Sequence, residues 1–150
     1  MKHYDPKTYR VDDSVGYLLR RGATLLRADL EAAFADVELS FVQWVTLMLL
    51  RDRPGLTPVA LCADLHHDSG AFTRLLDRLE RVGYVARERD AHDRRLVHVR
   101  LTREGESVVA AQVPRVTERL NAAFADFTAD DLSLFTRLLG RLITRLDAPH

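Results

Sequence analysis

Residues 68–83 carry the pattern that most constrains how this chain can fold, because it divides one predicted helix into an apolar face and a polar face. Large apolar side chains recur there at helical spacing, namely Phe72, Leu75, Leu76, Leu79 and Val82. Asp68 or Ser69 can cap the start of the helix, and Gly83 can end it in a left-handed conformation. The pattern predicts a helix over residues 69–82 that packs by one face and leaves the other exposed.

The segment after this helix predicts a β-hairpin with a charged tip. Residues 84–89 and 96–101 are typical of short strands. In the second segment Val97, Val99 and Leu101 alternate with His98 and Arg100, which is the period of a strand with one buried face. The connecting residues 90–95 read Asp-Ala-His-Asp-Arg-Arg.

Two shorter helices are predicted before residue 68. Ser40 can cap a helix that runs through Leu50, and residues 52–55 favour a turn. Thr57 followed by Pro58 is typical of a capped helix with proline at its first position. The side chains of this short helix that we expect to be buried are Val59, Cys62 and Leu65.

Both ends of the chain predict long amphipathic helices. Apolar residues form a helical stripe from Val11 to Val37, Thr102 can cap a helix that runs to about Phe127, and Thr128 with Asp131 resembles a capping box. One small core cannot cover these stripes, so we expect the ends to pack together in a two-fold homodimer.

The predicted fold is mainly α with a small β-hairpin wing. We expect a winged helix-turn-helix with N- and C-terminal dimerisation helices. Its parts are an N-terminal arm and dimerisation helix (1–38), a winged helix-turn-helix lobe (39–103) and C-terminal dimerisation helices (104–150), in one continuous structural unit.

The polar surface of the central elements suits DNA. A helix of about 14 residues is roughly 20 Å long and fits the major groove. Small residues at its start, Ser69, Gly70 and Ala71, let the backbone approach the bases, and a helix N-terminus attracts phosphate. The helix offers hydrogen-bond donors at helical spacing, namely Thr73, Arg74 and Arg78. The hairpin tip, which could reach an adjacent minor groove, offers Arg94 and Arg95.

Bulk charge neither supports nor excludes a nucleic-acid partner, since 22 basic groups balance 22 acidic groups. The basic residues are skewed, however, to 20 arginines and two lysines. Residues 87–103 hold six arginines and three carboxylates, a local excess of three positive charges. Arginine suits phosphate and base-edge recognition because its planar fork binds two acceptors at once.

Composition and motifs exclude several classes of protein. Apolar residues make up 47% of the chain, which is too many for a wholly disordered protein, and the single cysteine excludes an intrachain disulfide. The longest near-apolar run, 41–50, is too short to span a bilayer, and the N-terminus lacks a signal-peptide core, so we expect a cytoplasmic protein. No nucleophile elbow or glycine-rich phosphate loop is present, and we predict no enzyme activity, cofactor or metal site.

Four segments together resemble the MarR family of bacterial transcriptional regulators. They are residues 56–65 (LTPVALCADL), 73–87 (TRLLDRLERVGYVAR), 90–95 (DAHDRR) and 99–105 (VRLTREG). The order Asp-x-x-Asp-Arg-Arg followed by Leu-Thr-x-x-Gly is specific for the wing of that family, and the resemblance covers about residues 11–147 in element order. It implies a ligand-responsive regulator, expected to be a repressor, that binds a pseudo-palindromic operator as a homodimer.

The resemblance also implies roles for individual residues. Residues 69–82 would be the recognition helix and 84–101 the wing, in which Arg94 and Arg95 form the arginine pair and Asp93 is their partnering acid. Ala91 stands where many members have proline, which should loosen the turn. The residues expected to contact DNA are Thr57, Ser69, Gly70, Ala71, Thr73, Arg74, Arg78, Asp93, Arg94 and Arg95.

Members of the family often respond to small aromatic or phenolic anions held between the DNA-binding lobe and the dimerisation helices. The residues that could line such a pocket here are Tyr17, Arg20, Phe41, Trp44 and His66. Ordinary core packing is the alternative explanation for Trp44, because aromatic side chains dominate cores.

Three other hypotheses stay open on the sequence alone. A redox-responsive regulator would use Cys62, although its position on an apolar helix face favours a buried, inert thiol. A metal-responsive regulator would use His66, His67 and Asp68, although adjacent histidines rarely bind one ion together. A helical protein-interaction module without DNA binding would be indifferent to substitution of the wing arginines.

Overall fold

The computed structural model describes residues 2–148, which form six α-helices and one two-stranded antiparallel sheet. The predicted limits at residues 1 and 150 lie outside the described residues. The elements are α1 (Val15–Glu31), α2 (Phe41–Asp52), α3 (Pro58–Asp64), α4 (Ser69–Arg81), β1 (Val85–Arg89), β2 (Val97–Leu101), α5 (Arg103–Ala123) and α6 (Ala129–Asp147). Short 3₁₀ turns, Val11–Asp13 and Ala32–Phe34, flank α1.

The helices begin where local hydrogen-bonding chemistry predicts. The Thr57 hydroxyl accepts a hydrogen bond from the Ala60 amide at 3.2 Å, and Pro58 takes the first helical position of α3. Asp68 caps α4 in the same way. The predicted capping box of α6, Thr128 with Asp131, is also present. These caps satisfy amides that have no partner within their own helix.

The hairpin is attached to the lobe by its second strand. β1 and β2 pair with Arg87 opposite Val99 and Glu88 opposite His98. The amide of Val99 donates to the carbonyl oxygen of Leu56 at 2.8 Å, so β2 also bonds to the segment between α2 and α3. Val99 is fully buried, as its alternating pattern predicts.

One core holds these elements together. It lies among α2, α3, α4, the hairpin and the first half of α5, with the end of α1 packed against it. Its fully buried aliphatic residues are Leu47, Leu50, Leu61, Leu76, Leu79, Val99 and Val109.

The expected burial of Val59 is wrong. Val59 is 79% exposed, whereas Leu61 of the same helix is completely buried. Leu61, Cys62 and Leu65 follow one another at helical spacing along the inner face of α3, and Val59 lies off that face. Cys62 and Leu65 are partly buried, as predicted.

Two arginines of α5 connect it to the end of α1 and the turn that follows. Arg119 pairs with Asp29 at 3.0 Å, and Arg115 donates to the Ala33 carbonyl and to the carboxylate of Asp36. The hydrogen bond from Arg115 is the main reason that the pKa of Asp36 lies below its ordinary value. This bond therefore stabilises the folded protein fully at pH values above the ordinary aspartate pKa. The stabilisation is lost as the pH falls through the lowered pKa of Asp36.

The two ends of the chain leave apolar surface uncovered. No side chain of α6 is fully buried, and exposed apolar groups on it include Leu132, Phe135, Leu138, Ile143 and Leu146. An apolar groove of about 700 Å³ runs between α1 and the end of α5 with α6, lined by residues such as Leu18, Leu25, Phe127 and Leu139. No helix among residues 2–148 is both long enough and apolar enough to cross a membrane.

A glycine at the start of α5 is required by close backbone contact. A Cβ at Gly105 would lie 2.1 Å from the carbonyl oxygen of Tyr84 and 3.0 Å from the side chain of Leu101. The first atom belongs to the backbone at the start of the hairpin and cannot swing away, so a side chain would push α5 from the wing.

Gly105→Ala should therefore destabilise the protein by about 3 kcal/mol, the upper part of the range for overpacking. Equilibrium urea unfolding at fixed protein concentration measures this. Gly16→Ala is the matched control, because nothing lies within 4 Å of a Cβ at Gly16 and no loss is expected there. Equal stability of the two variants would contradict the proposed contact.

Candidate nucleic-acid interface

The exposed face of α4 is held outward by its buried face. Phe72, Leu76 and Leu79 are at most 2% exposed. The opposite face carries exposed Ser69, Gly70, Thr73, Arg74 and Arg78, while Ala71 is partly buried. The Thr73 hydroxyl donates to the Ser69 carbonyl at 2.8 Å, so it can still accept a hydrogen bond on the exposed face.

An ion-pair cluster partly neutralises the two carboxylates next to this face. Arg87 of β1 pairs with Asp77 and with Glu80 of α4, both at 2.7 Å, and its backbone amide also donates to Glu80. Arg87 therefore joins the wing to α4 and reduces the repulsion that these two acids would exert on a phosphate. Sequence reasoning missed this role because Arg87 and its partners are brought together by the turn at Gly83.

The wing tip is folded by backbone hydrogen bonds to two carboxylates. Asp90 Oδ1 accepts from the amides of Asp93 and His92 at 2.9 and 2.8 Å, and Asp93 Oδ1 accepts from the amide of Arg95 at 3.0 Å. The bonds from Asp93 and His92, with a further one from His98, lower the pKa of Asp90.

Asp93 contacts the arginine pair through a backbone amide and not through a guanidinium group. Its carboxylate bonds to the peptide amide of Arg95, and across the described chain it makes no side-chain ion pair with Arg94 or Arg95 within 4 Å. Both arginine side chains are exposed at the tip. Their guanidinium groups are therefore directed to solvent, where a phosphate could bind them.

His98 is the residue at this surface that sequence reasoning did not single out. Its Nδ1 lies 2.7 Å from the carbonyl oxygen of Gly55, and its Nε2 lies 3.0 Å from Asp90 Oδ2. The only sequence signal was a histidine on the polar side of a predicted strand. Its partner Gly55 is 43 positions away, which no local pattern reveals.

The five residues predicted to line an effector pocket lie in three places. Tyr17 and Arg20 share a shallow cavity of about 500 Å³ at the start of α1. Phe41 and Trp44 stack with ring centroids 6.2 Å apart, at the other end of that helix. His66 lies beside the last turn of α6, with its Nε2 3.7 Å from a carboxylate oxygen of Asp147.

The distance along α1 explains why one chain does not unite them. The amide of Phe41 donates a hydrogen bond to the carboxylate of Glu31 at 3.0 Å. Glu31 lies eleven residues after Arg20 on α1. At 1.5 Å per residue this separates the two groups by roughly 16 Å.

Trp44 carries an unsatisfied donor. It is 8% exposed and contacts Phe34 as well as Phe41. Its indole Nε1 is the one buried side-chain nitrogen or oxygen, among the atoms that the structure describes, without a hydrogen-bond partner. A buried indole N–H normally finds an acceptor, so the hydrogen-bonding capacity of this atom is unused among the described residues.

Cys62 and the histidines beside it were the candidate residues for redox or metal sensing. The thiol of Cys62 is partly buried and lies 3.1 Å from the carbonyl oxygen of His67, to which it can donate. No group of three or more histidine, cysteine or acidic side chains within residues 2–148 is placed to hold a metal ion.

Comparison with known proteins identifies the family. The sequence profile of the MarR family matches residues 37–96. The transcriptional repressor Rv2887 of Mycobacterium tuberculosis is 33% identical over 118 residues, which cover 74% of this chain and 85% of the relative. The chain belongs to the MarR family.

Solved structures agree with this assignment to the MarR family. A structure concerned with regulation of DNA binding of Bordetella bronchiseptica BpsR by 6-hydroxynicotinic acid superposes with a TM-score of 0.82 and 27% identity, covering 94% of this chain and 99% of that one. A MarR variant from E. coli complexed with operator DNA superposes with a TM-score of 0.77 and 28% identity, covering 85% and 92%. The winged helix-turn-helix prediction is confirmed, and so is the prediction of a transcriptional regulator rather than an enzyme.

Proposed function

We propose that this MarR-family regulator represses transcription by binding a pseudo-palindromic operator as a homodimer. The observation that carries the proposal is α4, which buries Phe72, Leu76 and Leu79 and presents Arg74 and Arg78 on its opposite face. The repressor relative and the superposed operator complex support the same function.

In this proposal α4 enters the major groove. Its 13 residues span about 20 Å, and its first turn exposes only small side chains, so its N-terminal end can approach the base edges. Arg74 and Arg78 lie one turn apart and reach toward the bases or the flanking phosphates. Ser69, Gly70, Ala71 and Thr73 complete the contact surface, and Thr57 at the start of α3 contacts the backbone.

The wing reaches the adjacent minor groove with Arg94 and Arg95. Both side chains project from a tip that Asp90 and Asp93 fold through backbone bonds. The negative potential of a narrow minor groove attracts arginine. The contacts of the wing should therefore add affinity more than base discrimination.

A second copy of the chain covers the apolar surface of α1 and α6. Residues 1–38 and 104–150 supply the dimerisation helices, and residues 39–103 form the DNA-binding lobe. A two-fold axis then relates two α4 helices, which is why the operator is pseudo-palindromic.

The effector in this proposal is a small aromatic or phenolic anion. The orphaned indole N–H of Trp44 and the adjacent ring of Phe41 provide one donor and one stacking surface. The superposed BpsR structure concerns regulation by 6-hydroxynicotinic acid, a molecule of this class. Such a ligand releases the operator only if it binds the DNA-free form more tightly.

Arg74→Ala should weaken specific binding by at least about tenfold per dimer and weaken non-specific binding much less, because a base contact contributes roughly 1–3 kcal/mol of discrimination. Fluorescence anisotropy with a selected operator and with a scrambled duplex measures both affinities. Arg21→Ala on α1 is the control that removes one exposed arginine outside the lobe. Equal weakening on the two duplexes would refute base reading by Arg74.

Arg95→Ala should weaken binding to every sequence and make the salt dependence shallower. Each of the two wings loses one positive charge that lies between the phosphates of the minor groove, so the slope of log K against log salt should fall by about two. Titrations at three or more salt concentrations give this slope. Unchanged affinity at physiological salt would show that the wing does not engage DNA and would favour a protein-interaction module.

Addition of 6-hydroxynicotinic acid should shift the indole N–H resonance of Trp44 downfield as the proton gains an acceptor. Trp44 is the only tryptophan, so a ¹⁵N-labelled sample gives one such signal. The same concentration range should release the operator. Phe41→Leu should raise the concentration needed for both effects. A resonance and an operator affinity that are both unchanged by millimolar ligand would contradict this effector class.

A further inference from the structure

His98 connects two parts of the DNA-binding lobe that are distant in sequence. One ring nitrogen faces the carbonyl of Gly55, in the turn that leads into α3, and the other faces the carboxylate of Asp90 at the base of the wing tip. The side chain of His98 is 26% exposed and that of Asp90 is 29% exposed, so water screens the pair only in part.

The connection continues to the tip. Asp90 holds the amides of His92 and Asp93 with its other oxygen, and Asp93 in turn holds the amide of Arg95. A chain of hydrogen bonds therefore runs from the α2–α3 turn through His98 to the wing arginine that we assign to the minor groove.

We propose that His98 is a positioning residue for operator binding, and that proton uptake by its imidazole fixes the wing tip against the α2–α3 turn and raises operator affinity. This inference rests on the proposed function and adds to it a dependence on pH.

The chemistry of the two partners gives the reason. A carbonyl oxygen and a carboxylate oxygen only accept hydrogen bonds, and only the imidazolium form of histidine donates from both ring nitrogens. A neutral ring must turn a lone pair toward either Gly55 or Asp90 and loses that bond. Asp90 itself stays ionised, because the amide bonds from Asp93 and His92, together with His98, lower its pKa.

Several charged groups near β2 form ion pairs with one another. Glu88 lies opposite His98 in the sheet, and its carboxylate binds Arg100 at 2.8 Å. On the helical elements packed against β2, Arg51 pairs with Asp52 at 3.0 Å and Arg53 with Asp64 at 2.5 Å. The other charged or titratable groups near β2 are Arg87 and Arg89 of β1, His92, Asp93, Arg94 and Arg95 at the tip, and Arg103, Glu104 and Glu106 in the first turn of α5.

The sign of the pH dependence follows. A wing held in place loses less freedom on binding, so the form with both bonds binds DNA more tightly. That form is complete when both ring nitrogens of His98 carry a proton, so operator affinity should fall as the pH rises and one of these protons is lost. Across two wings per dimer we expect about a tenfold loss of affinity, within the usual range of such couplings.

The test compares operator affinity at pH 6 and pH 8 for the full-length chain, His98→Gln and His92→Gln. The duplex is one recovered by selection from random sequence. Glutamine can donate to only one of the two acceptors and does not titrate. We expect wild type and His92→Gln to lose about tenfold in affinity, and His98→Gln to lose little and to match wild type at pH 8.

Three results would overturn the inference. The first is that His98→Gln keeps the pH dependence of operator affinity. The second is that His92→Gln abolishes this dependence, which would assign it to a phosphate contact of His92 at the tip. The third is wild-type affinity that does not change with pH. Failure of wild type to discriminate the selected duplex from a scrambled one would instead overturn the proposed function, and the inference with it.

A second measurement does not depend on the folding of His98→Gln. Linkage requires that operator binding take up protons when protonation favours binding. Calorimetric titrations of the wild type and His92→Gln at pH 7, in two buffers of different ionisation enthalpy, give this uptake. We expect net uptake by both proteins, and no uptake by His92→Gln would reject the role of His98.

Discussion

The burial of one face of α4 determines what the rest of the molecule can do. Full burial of Phe72, Leu76 and Leu79 contributes roughly 5–8 kcal/mol of transfer free energy. The partly exposed pairs of Arg87 with Asp77 and Glu80 contribute far less, since surface ion pairs are each worth about 0–1 kcal/mol. Apolar packing therefore fixes the outward direction of Arg74 and Arg78, and the ion pairs adjust the angle between helix and wing.

A second constraint comes from the apolar surface that one chain leaves open. The groove between α1 and α6 and the exposed leucines of α6 are too extensive for an isolated protein in water. In the proposed dimer, a second copy would cover this surface and would set the distance between the two α4 helices. An effector that alters the packing of α1 against the lobe would change that distance. Tyr17 and Arg20 are separated from Phe41 and Trp44 along α1, so a pocket that contained all four would have to draw on both copies of the proposed dimer.

Most of the fold could be predicted from the sequence because its signals are local. Caps such as Thr57, Asp68 and Thr102 act on amides three residues away, and the apolar periods of α4 and β2 depend only on helix and strand geometry. The error at Val59 has a different origin, because the inner face of a seven-residue helix is decided by what packs on it. The roles of His98, Arg87 and Gly105 also depend on tertiary contacts, to Gly55, to the acids of α4 and to Tyr84 respectively. The effector pocket stays a prediction, because its five residues lie on α1, on α2 and between α3 and α4, and only tertiary packing decides whether such segments meet.

Binding of the purified protein to DNA from upstream of its own coding sequence tests the account most directly. Fluorescence anisotropy at several salt concentrations, with a scrambled duplex beside it, measures affinity, discrimination and salt dependence together. We expect nanomolar binding to the upstream DNA and discrimination of about a thousandfold or more against the scrambled duplex. We also expect affinity to fall steeply with salt, and two chains to be bound per operator at saturation. Weak and equal binding to both duplexes, followed by a random-sequence selection that recovers no preferred site, would contradict it.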